Sequence, residues 1–163
     1  MQASFQRISP FLWFDTQAEE AANYYVSVFR DGRIVEIVRY GQAGPGPAGA
    51  VMTVSFEIHG QQFTALNGGP QFKFSEAISF VVRCDSQQEI DTLWAKLSAQ
   101  GGKEGPCGWL TDKYGLSWQI VPPQLLEFVK DKDAAKARRT MQAMMRMGKL
   151  DIAALQRAHA GEG

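Results

Sequence analysis

The side chains of this 163-residue chain that could bind a metal or act as a base are few and scattered. The two histidines fall in different segments, His59 in a two-residue hairpin turn that is predicted at His59-Gly60, and His159 in a helical pattern near the C-terminus. A zinc or iron site needs three or four imidazole, thiolate or carboxylate groups that converge on one point. We therefore expect both histidines to be solvent-exposed residues rather than ligands.

Cys107 is the candidate for nucleophilic chemistry, because a thiol next to a cation ionises more easily and then attacks as the thiolate. No histidine is close in sequence, so the cation would be Lys103 or Lys113. The alternative is that Cys107 and Cys84 are small buried side chains without a chemical role. We expect both thiols to be reduced, since a chain of this size needs no disulfide. No catalytic residue is assigned from the sequence.

The elements that must position these residues occur twice. When the chain is displaced by 70 residues, it matches itself at Ile8 and Ile78, Ser9 and Ser79, Asp15 and Asp85, Gln17 and Gln87, and Glu19 and Glu89. In each copy an apolar run, residues 10–14 and 80–82, predicts a buried strand. The pattern indicates a duplicated structural unit.

Each of these strands is followed by the pattern of a helix start. Residues 16–19 and 86–89 fit the capping box, in which a hydroxyl and a carboxylate each accept a hydrogen bond from a free backbone N–H group. Behind each box, apolar residues recur at i, i+3, i+4 and i+7. These stripes are Ala21, Tyr24, Tyr25 and Val28 in the first copy, and Ile90, Leu93, Trp94 and Leu97 in the second. Both helices are predicted to pack one face on a sheet.

The remaining segments complete an α+β fold of two βαβββ repeats that form half-barrel sheets. Strands are predicted over residues 33–40, 51–58 and 61–66 in the first repeat and over 108–110 and 116–121 in the second. We place one domain at residues 1–123, with repeats over about 5–70 and 75–123. Residues 124–163 form a C-terminal helical tail, in which Asp133 and Asp151 each precede a helix. The first of these helices carries a predicted Met stripe, which would cover a surface of this subunit or of a partner. The stripe consists of Ala137, Met141, Met144 and Met145.

Four segments of this sequence resemble the PhnB-like group of the vicinal oxygen chelate superfamily, which also holds glyoxalase I, bleomycin-resistance proteins and extradiol dioxygenases. They are ISPFLWFDTQAEEAANYY at residues 8–25, FTALNGGP at 63–70, GWLTDKYG at 108–115 and TDKYGLSWQIVP at 111–122. The resemblance covers residues 5–123 and implies two βαβββ half-barrels around a cleft. It also implies a homodimer.

The resemblance implies a divalent metal held by His and Glu side chains of the strands, but this chain departs from that ligand set. The ligand positions fall on Ser9, Ser79 and Gln119, with a fourth within residues 63–65. None of these is an acid or an imidazole. We therefore expect no bound metal and no organic cofactor.

Without a metal site, the cleft that the resemblance implies is the remaining candidate site. It would be a pocket with aromatic walls and a few hydroxyl and amide groups. Such a composition is typical of small-molecule sites. The candidate residues are Ser9, Phe11, Trp13, Asn67, Ser79, Trp109 and Gln119. The alternative is that the aromatic residues fill the core and the hydroxyl groups bond to the backbone.

Charge and hydropathy narrow the function further. Seventeen basic and seventeen acidic residues cancel, which disfavours nucleic acid and anionic membranes as partners. No apolar run approaches the ~20 residues of a membrane helix, so a cytoplasmic protein is expected. The stretch at residues 44–49 fits G-x-G-x-x-G but contains two prolines and precedes a strand, which disagrees with a dinucleotide site.

The sequence thus predicts a dimeric protein that binds an unknown small molecule without a catalytic metal. The alternative is a lyase, isomerase or dioxygenase-type enzyme of the same superfamily, although no convincing general base is present among the candidate residues. Drug sequestration is disfavoured, because a neutral chain offers no acidic groove to a cationic drug. Members of the group are often named 3-demethylubiquinone-9 3-methyltransferase, but the chain shows no glycine-rich strand-to-helix turn for S-adenosylmethionine.

Overall fold

A computed structural model describes residues 6–162 of the chain. Residues 1–5 and 163, at the outer ends of the predicted domain and tail, lie outside the described residues. The chain divides into two compact units, Met1–Lys73 (unit 1) and Phe74–Gly163 (unit 2). Each unit is described by itself.

Unit 1 contains one βαβββ repeat. Its elements are β1 (Phe11–Phe14), α1 (Ala18–Val28), β2 (Arg33–Arg39), β3 (Val51–Ile58) and β4 (Gln61–Asn67). The strand order is β1-β4-β3-β2, and β1 runs parallel to β4 while the other pairs are antiparallel. The hairpin between β3 and β4 turns at His59 and Gly60, whose φ angles of 48° and 75° confirm the predicted two-residue turn.

Unit 2 contains the second repeat and the tail. Its elements are β5 (Ser79–Arg83), α2 (Gln87–Ser98), β6 (Lys103–Glu104), β7 (Trp109–Thr111), β8 (Ser117–Val121), α3 (Pro123–Phe128), α4 (Ala134–Met144) and α5 (Ile152–Ala160). The strand order β5-β8-β7-β6 is that of unit 1, again with the first strand parallel to the last. The predicted α+β fold of two βαβββ repeats with a helical extension is confirmed.

Each repeat buries the apolar stripe of its helix against its own sheet. In unit 1 the ring of Tyr25 stacks on Phe56 with centroids 5.9 Å apart, and Phe56 stacks on Phe63 at 5.2 Å. In unit 2 the predicted stripe is fully or almost fully buried: Ile90, Leu93, Trp94 and Leu97. Burial of a large apolar side chain contributes about 1.5–3 kcal/mol, so these helices are held chiefly by packing. Within residues 6–162 no helix is long and apolar enough to cross a membrane.

The helix start in unit 2 follows the predicted capping pattern. Ser86 Oγ accepts a hydrogen bond from the Glu89 N–H group at 3.1 Å. The Glu89 carboxylate in turn accepts from the Asp85 N–H group at 2.9 Å. Two backbone donors that the helix cannot satisfy internally are therefore paired.

The helix start in unit 1 does not follow that pattern, so the predicted box at residues 16–19 is wrong. The N-cap residue is Gln17, and it makes no side-chain cap bond. The cap comes from the last residue of β4, which is distant in sequence but pairs with the end of β1, and there Asn67 Oδ1 accepts from the Ala18 N–H group at 2.7 Å. Asn67 Nδ2 also donates to the Val51 carbonyl at 3.1 Å. The amide thus ties α1 to β3 and β4.

Replacement of Asn67 tests this cap. We expect Asn67→Ala to lower the free energy of unfolding by about 1–2 kcal/mol, because it leaves the Ala18 donor and the Val51 acceptor unpaired. Thr16→Ala, which would remove the cap in the sequence-based prediction, should change stability by less than about 0.5 kcal/mol. Urea denaturation of both variants measures the difference. A larger loss for Thr16→Ala would contradict the structural assignment.

Candidate functional site

The sheet of unit 2 has one face that α2 covers and one that it leaves open. Side chains alternate between the two faces of a strand. Leu110, Trp118 and Ile120 are at most 3% exposed on the face that packs against α2. Their neighbours along β7 and β8 therefore point to the open face. Two ladder rows cross this face: Ser79, Ser117 and Thr111, and beside them Val81, Gln119 and Trp109.

A cavity of about 450 Å³ lies at the edge of this face. Its size falls within the range of about 300–1,000 Å³ that is typical of small-molecule sites. It is lined by Glu76, Lys103, Glu104, Gly105, Pro106, Cys107, Trp109, Leu110, Thr111 and Ser117, all of them in unit 2. The segment Gly105–Gly108, called the cavity loop below, supplies a large part of the wall.

Ser117 is the residue of this cavity whose polar group is not satisfied. Its side chain is fully buried, and its Oγ has no hydrogen-bond partner among the residues that the structure describes. In the same ladder row, Ser79 Oγ accepts from Gln119 Nε2 at 3.0 Å. A buried hydroxyl without a partner costs about 1–3 kcal/mol. Ser117 therefore keeps an unused donor and acceptor within the wall of the cavity.

The cavity loop is held from the tail side by two backbone hydrogen bonds. Cys107 and Gly108 adopt left-handed φ angles of 59° and 83°. Their N–H groups donate to the carbonyl oxygens of Met147 and Gly148, each at 2.8 Å. The left-handed turn at Cys107 and Gly108 thus lies against the segment between α4 and α5.

The same loop is held from the sheet side through Gly108. The Ile120 N–H group of β8 donates to the Gly108 carbonyl at 2.8 Å. A Cβ atom on Gly108 would lie 2.9 Å from the Ile120 carbonyl oxygen and 2.9 Å from Leu150 Cδ1. Only glycine fits between β8 and the tail at this point. The positive φ of Gly108 is a second reason why this position requires glycine.

The tail packs on the second repeat rather than standing apart from it. Leu150 and Leu155 are fully buried in a cluster with Val121 and Leu125. The predicted Met stripe contributes only in part, because Met145 of that stripe is 66% exposed. The tail is therefore a fixed part of unit 2 that reaches the cavity loop.

Gln87 at the start of α2 locks the tail in place. Its Nε2 donates to the Leu150 carbonyl at 3.0 Å, and its Oε1 accepts from the Ile152 N–H group at 2.9 Å. Beside it, Lys149 Nζ lies 2.7 Å from the Asp91 carboxylate. The hydrogen bond from Lys149, followed by that from Gln87, holds the pKa of Asp91 below its usual value. Asp91 is therefore a carboxylate at neutral pH.

The two thiols have different surroundings, and no bridge joins them. Cys84 is fully buried, and burial, with smaller contributions from Glu89 and Asp85, raises its pKa to about 12. A thiol in that state is inert at neutral pH. Cys107 is half-buried in the cavity wall. Of the two cations considered from the sequence, Lys103 lines the cavity.

The positions that the superfamily resemblance assigns to metal ligands do not fit a divalent cation. In unit 2, Gln119 directs its amide N–H to Ser79 Oγ, and neither group carries negative charge. In unit 1, the ladder register makes Thr64 the counterpart of Gln119, since Thr64 pairs with Phe11 as Gln119 pairs with Val81. Hydroxyl and amide groups alone bind zinc or iron poorly. Within residues 6–162 no group of three or more His, Cys, Asp or Glu residues could hold a metal ion.

The candidate residues of unit 1 lie on or near its own sheet. Ser9 and Phe11 are exposed. Trp13 Nε1 donates to the Gly69 carbonyl at 2.9 Å, which fixes its ring against the 68–69 segment. The amide of Asn67 is occupied by the α1 cap described above. These four residues belong to unit 1, and the cavity belongs to unit 2.

Of the three candidate residues in unit 2, Trp109 lines the cavity. Ser79 and Gln119 lie on the open face of the sheet, in the two ladder rows described above. Ser117 and Thr111 were not candidates from the sequence, and Cys107 was the only candidate residue within the cavity loop. The alternation of β8 carries a signal for Ser117, because polar Ser117 and Gln119 alternate with apolar Trp118 and Ile120. No local pattern could indicate the cavity loop, because its geometry depends on the tail.

The histidines also differ from the prediction. His59 is exposed as expected and pairs with Asp31 at 3.1 Å. His159 is only 19% exposed, contrary to expectation. It lies 2.8 Å from Asp131 and stacks on the ring of Phe128, so it is a packing residue of the tail.

A family model described as 3-demethylubiquinone-9 3-methyltransferase matches residues 6–121 of the chain. The match ends at the last residue of β8, so the tail helices lie outside it. No curated protein matches the chain.

Several solved structures are similar to this chain. A PhnB protein from Bacillus cereus is 40% identical, with 72% of this chain and 99% of that chain covered and a TM-score of 0.64. A protein from Pseudomonas aeruginosa is 21% identical, with 72% and 98% covered and a TM-score of 0.59. A fosfomycin resistance protein from Listeria monocytogenes is 13% identical, with 78% and 98% covered and a TM-score of 0.50. The last two show the fold alone.

Replacement of Gln87 tests the link between the tail and the cavity loop. Gln87→Ala removes two bonds to the tail backbone, and we expect the free energy of unfolding to fall by about 1–3 kcal/mol. The amide protons of Cys107 and Gly108 should then exchange faster in native-state hydrogen exchange. The control is Gln17→Ala at the equivalent position of the first repeat, where less than about 0.5 kcal/mol is expected. Unchanged exchange at Cys107 and Gly108 in Gln87→Ala would contradict the link.

Proposed function

The chain belongs to the family described as 3-demethylubiquinone-9 3-methyltransferase, within the vicinal oxygen chelate superfamily. On this premise, we propose that it is a small-molecule binding protein that works without a catalytic metal. The binding site is the cavity on the open face of the second sheet. Its ligand combines a flat apolar body with at least one hydrogen-bonding group.

One observation carries the proposal, namely that the buried Ser117 hydroxyl borders a cavity and has no partner in the described part of the chain. Buried polar groups in folded proteins are nearly always hydrogen-bonded, and exceptions cluster at sites of function. The surrounding wall offers Pro106 and Trp109 as apolar surface. A ligand that fills this space would satisfy Ser117 and cover the apolar surface together.

The family description names methyl transfer, but the residues do not fit S-adenosylmethionine. A site for that cofactor would require a glycine-rich turn between a strand and the helix that follows it. Within residues 6–162 the chain has three strand-to-helix connections, Asp15-Thr16-Gln17, Cys84-Asp85-Ser86 and Pro122, and none of them contains a glycine. Fold and family name do not by themselves assign chemistry. We therefore derive no methyl-transfer step.

Replacement of Ser117 tests whether this residue is kept for binding. We expect Ser117→Ala to raise the free energy of unfolding of the free protein by about 1 kcal/mol, because it removes a buried unpaired hydroxyl. Ser79→Ala in the same ladder row should lower it by about 0.5–1.5 kcal/mol, since Gln119 then loses its acceptor. Urea denaturation measures both changes. A loss of stability in Ser117→Ala as large as that in Ser79→Ala would argue against an unused hydroxyl.

The same variant extends the test to ligands. Compounds from a metabolite set that raise the melting temperature of the wild type should stabilise Ser117→Ala less, because one hydrogen bond to the ligand is lost. At 100 times its Kd a ligand stabilises by about 2.7 kcal/mol, which thermal-shift screening detects readily. Equal stabilisation of both proteins by every compound would remove Ser117 from the site.

Metal independence is tested separately. We expect elemental analysis of the purified protein to show far less than one equivalent of zinc, iron or manganese per chain. Addition of a chelator should leave the melting temperature unchanged, because hydroxyl and amide donors do not compete with water for a divalent cation. One equivalent of tightly bound metal, or a large drop in melting temperature with chelator, would overturn this part of the proposal.

A further inference from the structure

We infer that Cys107 is a covalent attachment site for α,β-unsaturated carbonyl compounds that bind in the cavity of unit 2. This inference rests on the proposed function and narrows its ligand class. Its basis is the combination of a thiol, an unpaired buried hydroxyl and an unpaired cation in the lining of one cavity.

The thiol is the first part of this combination. Cys107 is half-buried in the cavity wall, whereas Cys84 is fully buried outside the cavity lining. Cys107 adopts a φ of 59°, a conformation in which a non-glycine residue is uncommon. The next residue, Gly108, also has a positive φ, but glycine adopts this conformation without strain. Strained backbone of this kind clusters at functional sites, so the side chain at position 107 is a candidate for function.

The hydroxyl is the second part and points to a ligand independently of the thiol. Ser117 Oγ lacks a partner among the described residues, and a carbonyl oxygen in the cavity would accept its proton. Donation to that oxygen withdraws electrons from a conjugated double bond and makes its β-carbon more electrophilic. A hydroxyl that activates the carbonyl and a thiol that attacks the β-carbon are the two groups that conjugate addition needs.

The cation and the apolar wall complete the description. Lys103 lies in the lining and has no ion pair within the described residues. Its charge favours the enolate that forms during addition. Trp109 and Pro106 offer flat apolar surface to a planar conjugated ligand. Two acids in the lining, Glu76 and Glu104, oppose anionic ligands, which favours a neutral carbonyl compound.

The step balances without an oxidant. The thiol first releases its proton to water, and a lone pair of the sulfur then forms the bond to the β-carbon. The π electrons of the carbon–carbon double bond move toward the carbonyl and give an enolate. Water returns the proton to the α-carbon. The product is a thioether whose mass equals the sum of protein and ligand.

The experiment uses 2-cyclohexen-1-one as the probe and intact-protein mass spectrometry as the readout. We expect one adduct per chain, mapped to Cys107 by peptide analysis, and a rate that saturates as the probe concentration rises. Cys84→Ser should react like the wild type, and Cys107→Ser should not react. In Ser117→Ala the ratio of the enone rate to the iodoacetamide rate should fall roughly tenfold, which corresponds to the loss of one hydrogen bond.

The inference is overturned if the rate rises linearly with probe concentration and the ratio to iodoacetamide equals that of N-acetylcysteine. In that case the thiol reacts by simple collision, and the cavity contributes nothing to the addition. The saturated ketone cyclohexanone then separates the two proposals. If cyclohexanone protects Cys107 from iodoacetamide, the cavity binds carbonyl compounds and the proposed function stands without the covalent step. If no probe or metabolite protects Cys107 or stabilises the protein, the proposed function fails as well.

Discussion

The candidate site depends on one local constraint, which is the passage of Cys107 and Gly108 between the tail and β8. Two N–H groups of the cavity loop are bound by the tail carbonyls, and its Gly108 carbonyl is bound by β8, all at 2.8 Å. Gly108 has no room for a Cβ atom on either side. Three backbone bonds and one steric limit thus fix a loop that has almost no regular structure of its own. The wall of the cavity is consequently set by the fold rather than by the ligand.

Two buried polar side chains of unit 2, Asp112 and Ser117, differ sharply in how well their hydrogen-bonding groups are paired. The buried carboxylate of Asp112 accepts hydrogen bonds from the N–H groups of Tyr114 and Leu116 and from Trp118 Nε1, among other interactions. A charge with that many donors is stable in the interior. Ser117, only a few residues further along the chain, has no hydrogen-bond partner in the described residues. A sequence that satisfies a buried charge so completely and leaves a nearby hydroxyl unpaired is consistent with selection for binding at that point.

The parts of this fold that could be predicted from the sequence are those with a local cause. The identities at an offset of 70 residues predicted the two repeats, and short local patterns predicted the capping box at Ser86 and the hairpin turn at His59. The cap of α1 was missed because its acceptor, Asn67, comes from the end of β4, and no local pattern contains it. The two-residue strand β6 was missed because it is too short to show alternation. Trp109 was a candidate from the superfamily resemblance, and the structure places it in the lining of the cavity.

The cavity itself follows from the difference between the two repeats. In unit 1 the strands β2 and β3 have seven and eight residues, whereas β6 and β7 of unit 2 have two and three. The shortened strands of unit 2 leave room at the edge of the sheet, and the cavity loop and the tail occupy part of it. A complete copy of the first repeat would fill this edge with ladder pairs and leave less space for a ligand. Degeneration of the second repeat and addition of the tail therefore act together, since the first opens the edge and the second gives it a fixed wall.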